Sequence, residues 1–158
     1  MPVVYIGLGS NLQGPEQQLR SALETLATHP DIKLAAVSSL YQSKPVGPQD
    51  QPDYVNAVAE LHTELAPEAL LDVLQHIENQ HNRIRLRHWG ERTLDLDILL
   101  YGEQIIHTPR LTVPHKEMCK RSFVLYPLAQ IAPQLRLPDG QRLPDVLLQV
   151  TNDLLPLR

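Results

Sequence analysis

The chain reads as a mixed α+β fold, and three observations predict it. Apolar residues fall into strand-like runs and helical stripes in the order strand, helix, strand, strand, helix, strand. The 14 prolines concentrate between those runs, where they shape loops. The 158 residues, 42% apolar and 20% charged, suffice for one domain over 1–158 with a core of its own. The element order is that of a ferredoxin-like βαββαβ core: a mainly antiparallel sheet with helices packed on it, here followed by a C-terminal extension. Such a core places both helices on one face of the sheet and leaves the other for a ligand.

Val3 to Gly9 is a near-continuous apolar run, as in a buried central strand, and Gly7 and Gly9 leave its end bare for close approach. Gly9-Ser10-Asn11-Leu12-Gln13-Gly14 lacks the spacing of a dinucleotide fingerprint and the Lys-Ser/Thr of a P-loop. Pro15 suits the first position of a helix, and Leu19, Ala22, Leu23 and Leu26 give it one apolar stripe. Ile32 to Tyr41 reads as a second strand. Ser43 to Asp53, with three prolines and a glycine, is a long shaped loop of the kind that carries function. Tyr54 to Leu61 is a third strand whose Tyr54, Asn56 and Val58 share a face. They suit ring binding, or equally a packed Tyr and a satisfied Asn. Pro67 opens a second helix with Leu70, Leu71, Leu74 and Ile77 inward, and Gln75, Glu78 and Asn82 close together at helical spacing. The C-terminal Leu135–Leu137 and Leu143–Val150 stretches read as packing.

The chemistry centres on Arg92-Thr93-Leu94-Asp95-Leu96-Asp97-Ile98-Leu99-Leu100. On a strand, Asp95 and Asp97 project to one face while Leu96, Ile98 and Leu100 anchor it from behind. Paired carboxylates repel, and a hard divalent cation relieves that repulsion. On its own the pattern also fits an acidic, solvated edge strand. Arg83, Arg85, Arg87 and Arg92 precede it, with Trp89, the only tryptophan, in the same polar stretch. Arginine forks suit phosphate oxygens. Acids, arginines and a downstream basic segment with His115 together suggest metal-assisted phosphoryl-type transfer.

His88-Trp89-Gly90-Glu91-Arg92-Thr93-Leu94-Asp95-Leu96-Asp97-Ile98-Leu99 resembles the signature of the 6-hydroxymethyl-7,8-dihydropterin pyrophosphokinase family. Tyr5–Leu12, Val46–Ala57, Leu111–His115 and Arg121–Leu128 resemble further blocks of that family, in order. The resemblance implies transfer of pyrophosphate from ATP, the co-substrate, to the pterin's hydroxymethyl oxygen, with AMP leaving. It implies two Mg2+ ions held by Asp95 and Asp97, and a catalytic set of Asp95, Asp97, Arg83 and Arg92. ATP would meet Gln75, Glu78, Arg85, Ile98, Arg110, Thr112, His115 and Arg121 as well. The pterin ring would lie between Tyr54 and Phe123 with Asn56 on its polar edge. Gly9, Ser43, Lys44 and Val46 would border it, and Trp89 would close over it. Lys116 stands where some relatives carry Tyr, and Ser43-Lys44 replaces a Thr-Pro-like pair.

Composition narrows the alternatives. A net charge of −4 and the lack of an RNP-type aromatic motif give no reason to expect nucleic acid. One cysteine, Cys119, excludes an internal disulfide and suits a reducing compartment. No apolar run approaches the ~20 residues of a membrane span, and the first residues lack a signal-peptide pattern. A cytoplasmic monomer is expected. None of the seven histidines has zinc spacing. Two rivals use the same sheet: a metal-dependent phosphohydrolase and a non-catalytic nucleotide-binding module.

Overall fold

The computed structural model describes residues 1–11, 14–44, 52–81 and 94–156. Strand β1 (Val3–Ser10) leads to α1 (Pro15–Thr28), β2 (Ile32–Val37), β3 (Tyr41–Ser43), β4 (Tyr54–Thr63), α2 (Pro67–Gln80) and β5 (Asp95–Tyr101). A small hairpin follows, β6 (Ile106–His107) with β7 (Thr112–Val113). Then come α3 (Ser122–Ile131), α4 (Leu143–Leu147) and β8 (Leu155–Pro156). The main sheet runs β5-β1-β4-β3-β8, with β2 also paired to β4, and every pairing is antiparallel. Taking β2 and β3 as one interrupted strand, this is the ferredoxin-like order expected from the sequence.

Helices α1 and α2 begin at Pro15 and Pro67, where a missing N–H costs nothing. They bury Leu19, Ala22 and Leu26, and Leu70, Leu71, Leu74 and Ile77, against Val4, Ile6, Leu8, Ala57 and Leu61 of the sheet. Truncating any of these leucines to Ala would cost about 2–5 kcal/mol through lost burial and the cavity left behind.

Three features depart from the sequence reading. The Ile32–Tyr41 strand is broken at Ser38. The Ser38 hydroxyl accepts the Val58 N–H (2.9 Å), taking a ladder position from the backbone. The register of β2 on β4 has already slipped between Leu34 and Ala36. On β5, Leu100 does not lie behind the acids with Leu96 and Ile98. The β1–β5 register shifts between Tyr5 and Ile6, so Leu99 is an extra residue and the alternation inverts past it. Asp95, Asp97, Leu99 and Leu100 therefore share one face. Finally, that face is not left open along its length. Helices α3 and α4 cover one end of it, burying Val124, Leu125, Leu128, Leu143 and Val146 with Tyr5, Val58, Leu99 and Leu100. What remains uncovered is the end carrying Gly7, Gly9, Asn56 and the two aspartates.

Candidate functional site

Sheet register builds the site floor. Gly9 pairs with Asn56 on one side and Asp95 on the other, and Gly7 pairs with Val58 and Asp97. Each aspartate thus lies beside a residue with no side chain. At Gly9 the absence makes room: a Cβ there would lie 3.1 Å from Asn56 Oδ1, close enough that the amide would have to shift, and 3.8 Å from Tyr54 Cδ1. We expect Gly9→Ala to leave the chain folded but to displace Asn56 and Tyr54. Binding at this end would weaken about tenfold, while sites beyond Asp97 are unaffected. Ligand titration against thermal melting checks this, and unchanged affinity would refute it.

A cavity of about 360 Å3 opens over this floor. Gly7, Leu8, Gly9, Tyr54, Asn56, Ala57, Asp95, Asp97 and Leu99 come from the sheet. Ser43 and Lys44 come from the end of β3, His115, Lys116 and Glu117 from the segment after β7, and Arg121, Phe123 and Val124 from the start of α3. Asn56 is buried (4% exposed), and its Nδ2 donates to Ser43 Oγ at 2.6 Å. The Arg121 guanidinium stands 5.5 Å from the centroid of the Phe123 ring. Asn11 Nδ2 donates to the Pro52 carbonyl (2.9 Å), tying the end of β1 to the approach to β4.

A second cavity of about 250 Å3 adjoins the first across Asp97, His115 and Lys116, which line both. Its other walls are Leu71, Leu96, Ile98, Arg110, Leu111 and Thr112. Arg110 Nη2 donates to Asp72 Oδ1 (2.5 Å) and Gln75 Oε1 (3.3 Å), which brings Gln75 to the rim. Glu78 lines neither cavity. It is 8% exposed, and its Oε2 accepts the Leu96 N–H at 2.9 Å. Because β5 is a sheet edge, this bond satisfies an outward N–H midway between the two aspartates.

His115 is held by backbone: its N–H donates to Leu99 O (3.0 Å), and its Nδ1 accepts the Glu117 N–H (3.2 Å). Nδ1 being an acceptor, the neutral ring carries its proton on Nε2. Burial, the largest influence, lowers the His115 pKa below its ordinary value. Arg121 and Lys116 act the same way, and Asp97 and Glu117 oppose them. The unfolded chain therefore binds this proton more readily than the folded one. His115 contributes stability that is full above the ordinary histidine pKa of about 6.5 and is lost as pH falls through its lower folded value. In the ligand-free protein, denaturant midpoints between pH 8 and 5 should fall less in His115→Gln than in wild type. Parallel slopes would refute this.

The structure thus brings together Gly9, Ser43, Lys44, Tyr54, Asn56 and Phe123 with both aspartates. It brings Ile98, Arg110, Thr112 and His115 together beside Asp97, and Arg121 onto the first cavity. Val46, Arg83, Arg85, Trp89 and Arg92 lie outside the described residues. Sequence reading did not find Ala57, Leu99, Glu117 or Val124. Leu99 reaches the site through the bulge, which leaves no periodic signal.

Residues 5–133 match the family model for 7,8-dihydro-6-hydroxymethylpterin-pyrophosphokinase. A 2-amino-4-hydroxy-6-hydroxymethyldihydropteridine pyrophosphokinase from Haemophilus influenzae is 56% identical over 152 residues, covering 96% of this chain and 95% of its own. One of the same name from Pseudomonas aeruginosa is 58% identical over 144 residues, covering 91% and 89%. Among solved structures, Plasmodium falciparum HPPK-DHPS shares the fold at a TM-score of 0.71 and 13% identity. The match covers 94% of this chain and 43% of that longer one. With its matched span holding both aspartates and every lining residue of both cavities, the chain belongs to the 7,8-dihydro-6-hydroxymethylpterin-pyrophosphokinase family.

Proposed function

We infer that this chain transfers pyrophosphate from ATP to the hydroxymethyl oxygen of 6-hydroxymethyl-7,8-dihydropterin in folate biosynthesis. The hydroxymethyl oxygen forms a bond to the β-phosphorus, the bond from that phosphorus to the α,β-bridging oxygen breaks, and AMP leaves. The hydroxyl proton goes to solvent or to a carboxylate. Beyond family membership, the observation that carries this reading is two cavities meeting at Asp97. Rings and an amide (Tyr54, Phe123, Asn56) wall the first alone, and cations line both: Lys44, Lys116 and Arg121 the first, Arg110 and Lys116 the second.

In the first cavity, Tyr54 and Phe123 would hold the pterin ring between them and Asn56 would read its edge, with Gly9, Ser43 and Lys44 at the border. In the second, Ile98, Thr112 and Leu111 would bound the nucleoside, while Arg110, His115 and Lys116 take phosphate oxygens and Arg121 meets them from the first cavity. Arg83, Arg85 and Arg92 are assigned to the phosphates from the sequence pattern, and Val46 and Trp89 to the pterin. Gln75 would act beside Arg110, and Glu78 would hold β5 in register under the acids.

The donor set fits Mg2+. Asp95 and Asp97 are hard oxygen donors on one strand face, and no group of three or more His, Cys, Asp or Glu among the described residues forms an all-protein cage. A site of one or two carboxylates completed by phosphates is how Mg2+ is usually held. Bound there, two such ions would neutralise phosphate charge and acidify the attacking hydroxyl. Asp95 and Asp97 would hold both ions, a reading supported by Asp97 lining both cavities and Asp95 the first.

We further read residues 1–158 as one catalytic domain acting as a cytoplasmic monomer. Supporting this, both cores share one sheet, and among the described residues no helix is long and apolar enough to cross a membrane. The deciding experiment incubates the protein with MgATP and the dihydropterin. AMP and pterin pyrophosphate in equal amounts are expected. ADP or free phosphate would favour a kinase or hydrolase and overturn the reading.

A further inference from the structure

The family match ends at residue 133, yet the chain beyond it returns to the site. Tyr126 Oη donates to the Val150 carbonyl (3.1 Å), and Ser122 Oγ donates to Asp153 Oδ1 (2.5 Å). Immediately afterwards β8 pairs with β3, Leu155 opposite Gln42 and Pro156 opposite Tyr41. One short segment, Val150–Pro156, therefore grips both the helix and the strand whose ends contribute to the first cavity's wall. Ser122 sits between Arg121 and Phe123, which line that cavity, and Ser43 and Lys44 follow directly on Gln42.

The far end of α3 is already fastened to this side of the sheet. Gln130 Oε1 accepts the Ser39 N–H (2.9 Å) and the Tyr41 hydroxyl (2.8 Å), and Gln130 Nε2 donates to Ser39 Oγ (2.8 Å). At the near end the fastening runs through Asp153. Its carboxylate meets the first turn of α3, where Arg121 at the helix cap offers no capping side chain. An anion there is favoured by the helix dipole, and its bond to a hydroxyl is of the strong, charge-assisted kind.

We propose that Asp153 is a positioning residue. Acting through Ser122, the first residue of α3, it sets where Phe123 stands relative to the β3 wall, and so the width of the slot that receives the substrate's flat ring. The proposal rests on the pyrophosphokinase reading above. It makes the C-terminal strand, outside the span shared by the family model, part of substrate recognition here. The second cavity has no wall on α3 or β3, so the effect should fall on one substrate.

The test is steady-state kinetics of the full chain with each substrate varied in turn, for wild type, Asp153→Ala, Asp153→Asn and Ser122→Ala. Asp153→Ala and Ser122→Ala are each expected to raise KM for the dihydropterin about tenfold, with KM for ATP within about twofold and kcat reduced less than KM is raised. Asp153→Asn keeps an oxygen to accept the Ser122 hydroxyl and should restore most of the pterin KM. The double Ala variant should be no worse than either single one, since both remove the same bond. Should Asp153→Ala fail to fold, Ser122→Ala and Asp153→Asn carry the comparison. Pterin KM unchanged in Ser122→Ala, or both substrates' KM rising together, would overturn the proposal. A wild-type protein that makes no AMP from these substrates would instead defeat the underlying reading.

Discussion

Replacing Asp97 by Ala is expected to lower kcat at least about a thousandfold, some 4 kcal/mol of barrier, while the fold survives. Asp97 is exposed on β5, so the change opens no cavity in either core. The variant should therefore still melt cooperatively as a folded protein. Single-turnover measurements at saturating MgATP, read beside thermal melting, decide it. A variant within tenfold of wild type would remove Asp97 from the mechanism.

Asn56→Ala should produce the next largest effect, and on a different quantity. The side chain is 4% exposed, spends its Nδ2 on Ser43 Oγ, and presents Oδ1 over the Gly9 backbone. A buried polar group built to match a substrate's polar edge discriminates strongly, because losing the match strands the partner group. KM for the dihydropterin is expected to rise about a hundredfold with KM for ATP little changed. Stability should fall by about 1–3 kcal/mol, from the stranded Ser43 hydroxyl and the small void left behind. Pterin KM within threefold of wild type would make Asn56 a structural amide only.

Much of this was legible in the residue pattern. Pro15 and Pro67 mark helix starts, the leucine stripes of α1 and α2 face the core, and the order of elements is that of the observed sheet. Gly7, Gly9, Tyr54, Asn56, Asp95 and Asp97 could be named beforehand because strand alternation places side chains by counting alone. Counting fails where a ladder slips. The interruption at Ser38 depends on a hydroxyl reaching the Val58 N–H on another strand. The inversion at Leu99 depends on how β5 seats on β1.

Residue type and spacing marked the pair of acids, and the resemblance of the ordered motifs to a known family implied the family and the chemistry. These depend on residue type and local period, and both are written along the chain. Tertiary structure alone decided that α3 and α4 close one end of the sheet's second face. It placed Asp97, rather than Asp95, on both cavities, turned Glu78 toward the Leu96 N–H, and brought Asp153 back onto Ser122 from 31 positions away. Each of these is a contact between segments distant in sequence. Its existence depends on register and packing, which no local pattern of residues encodes.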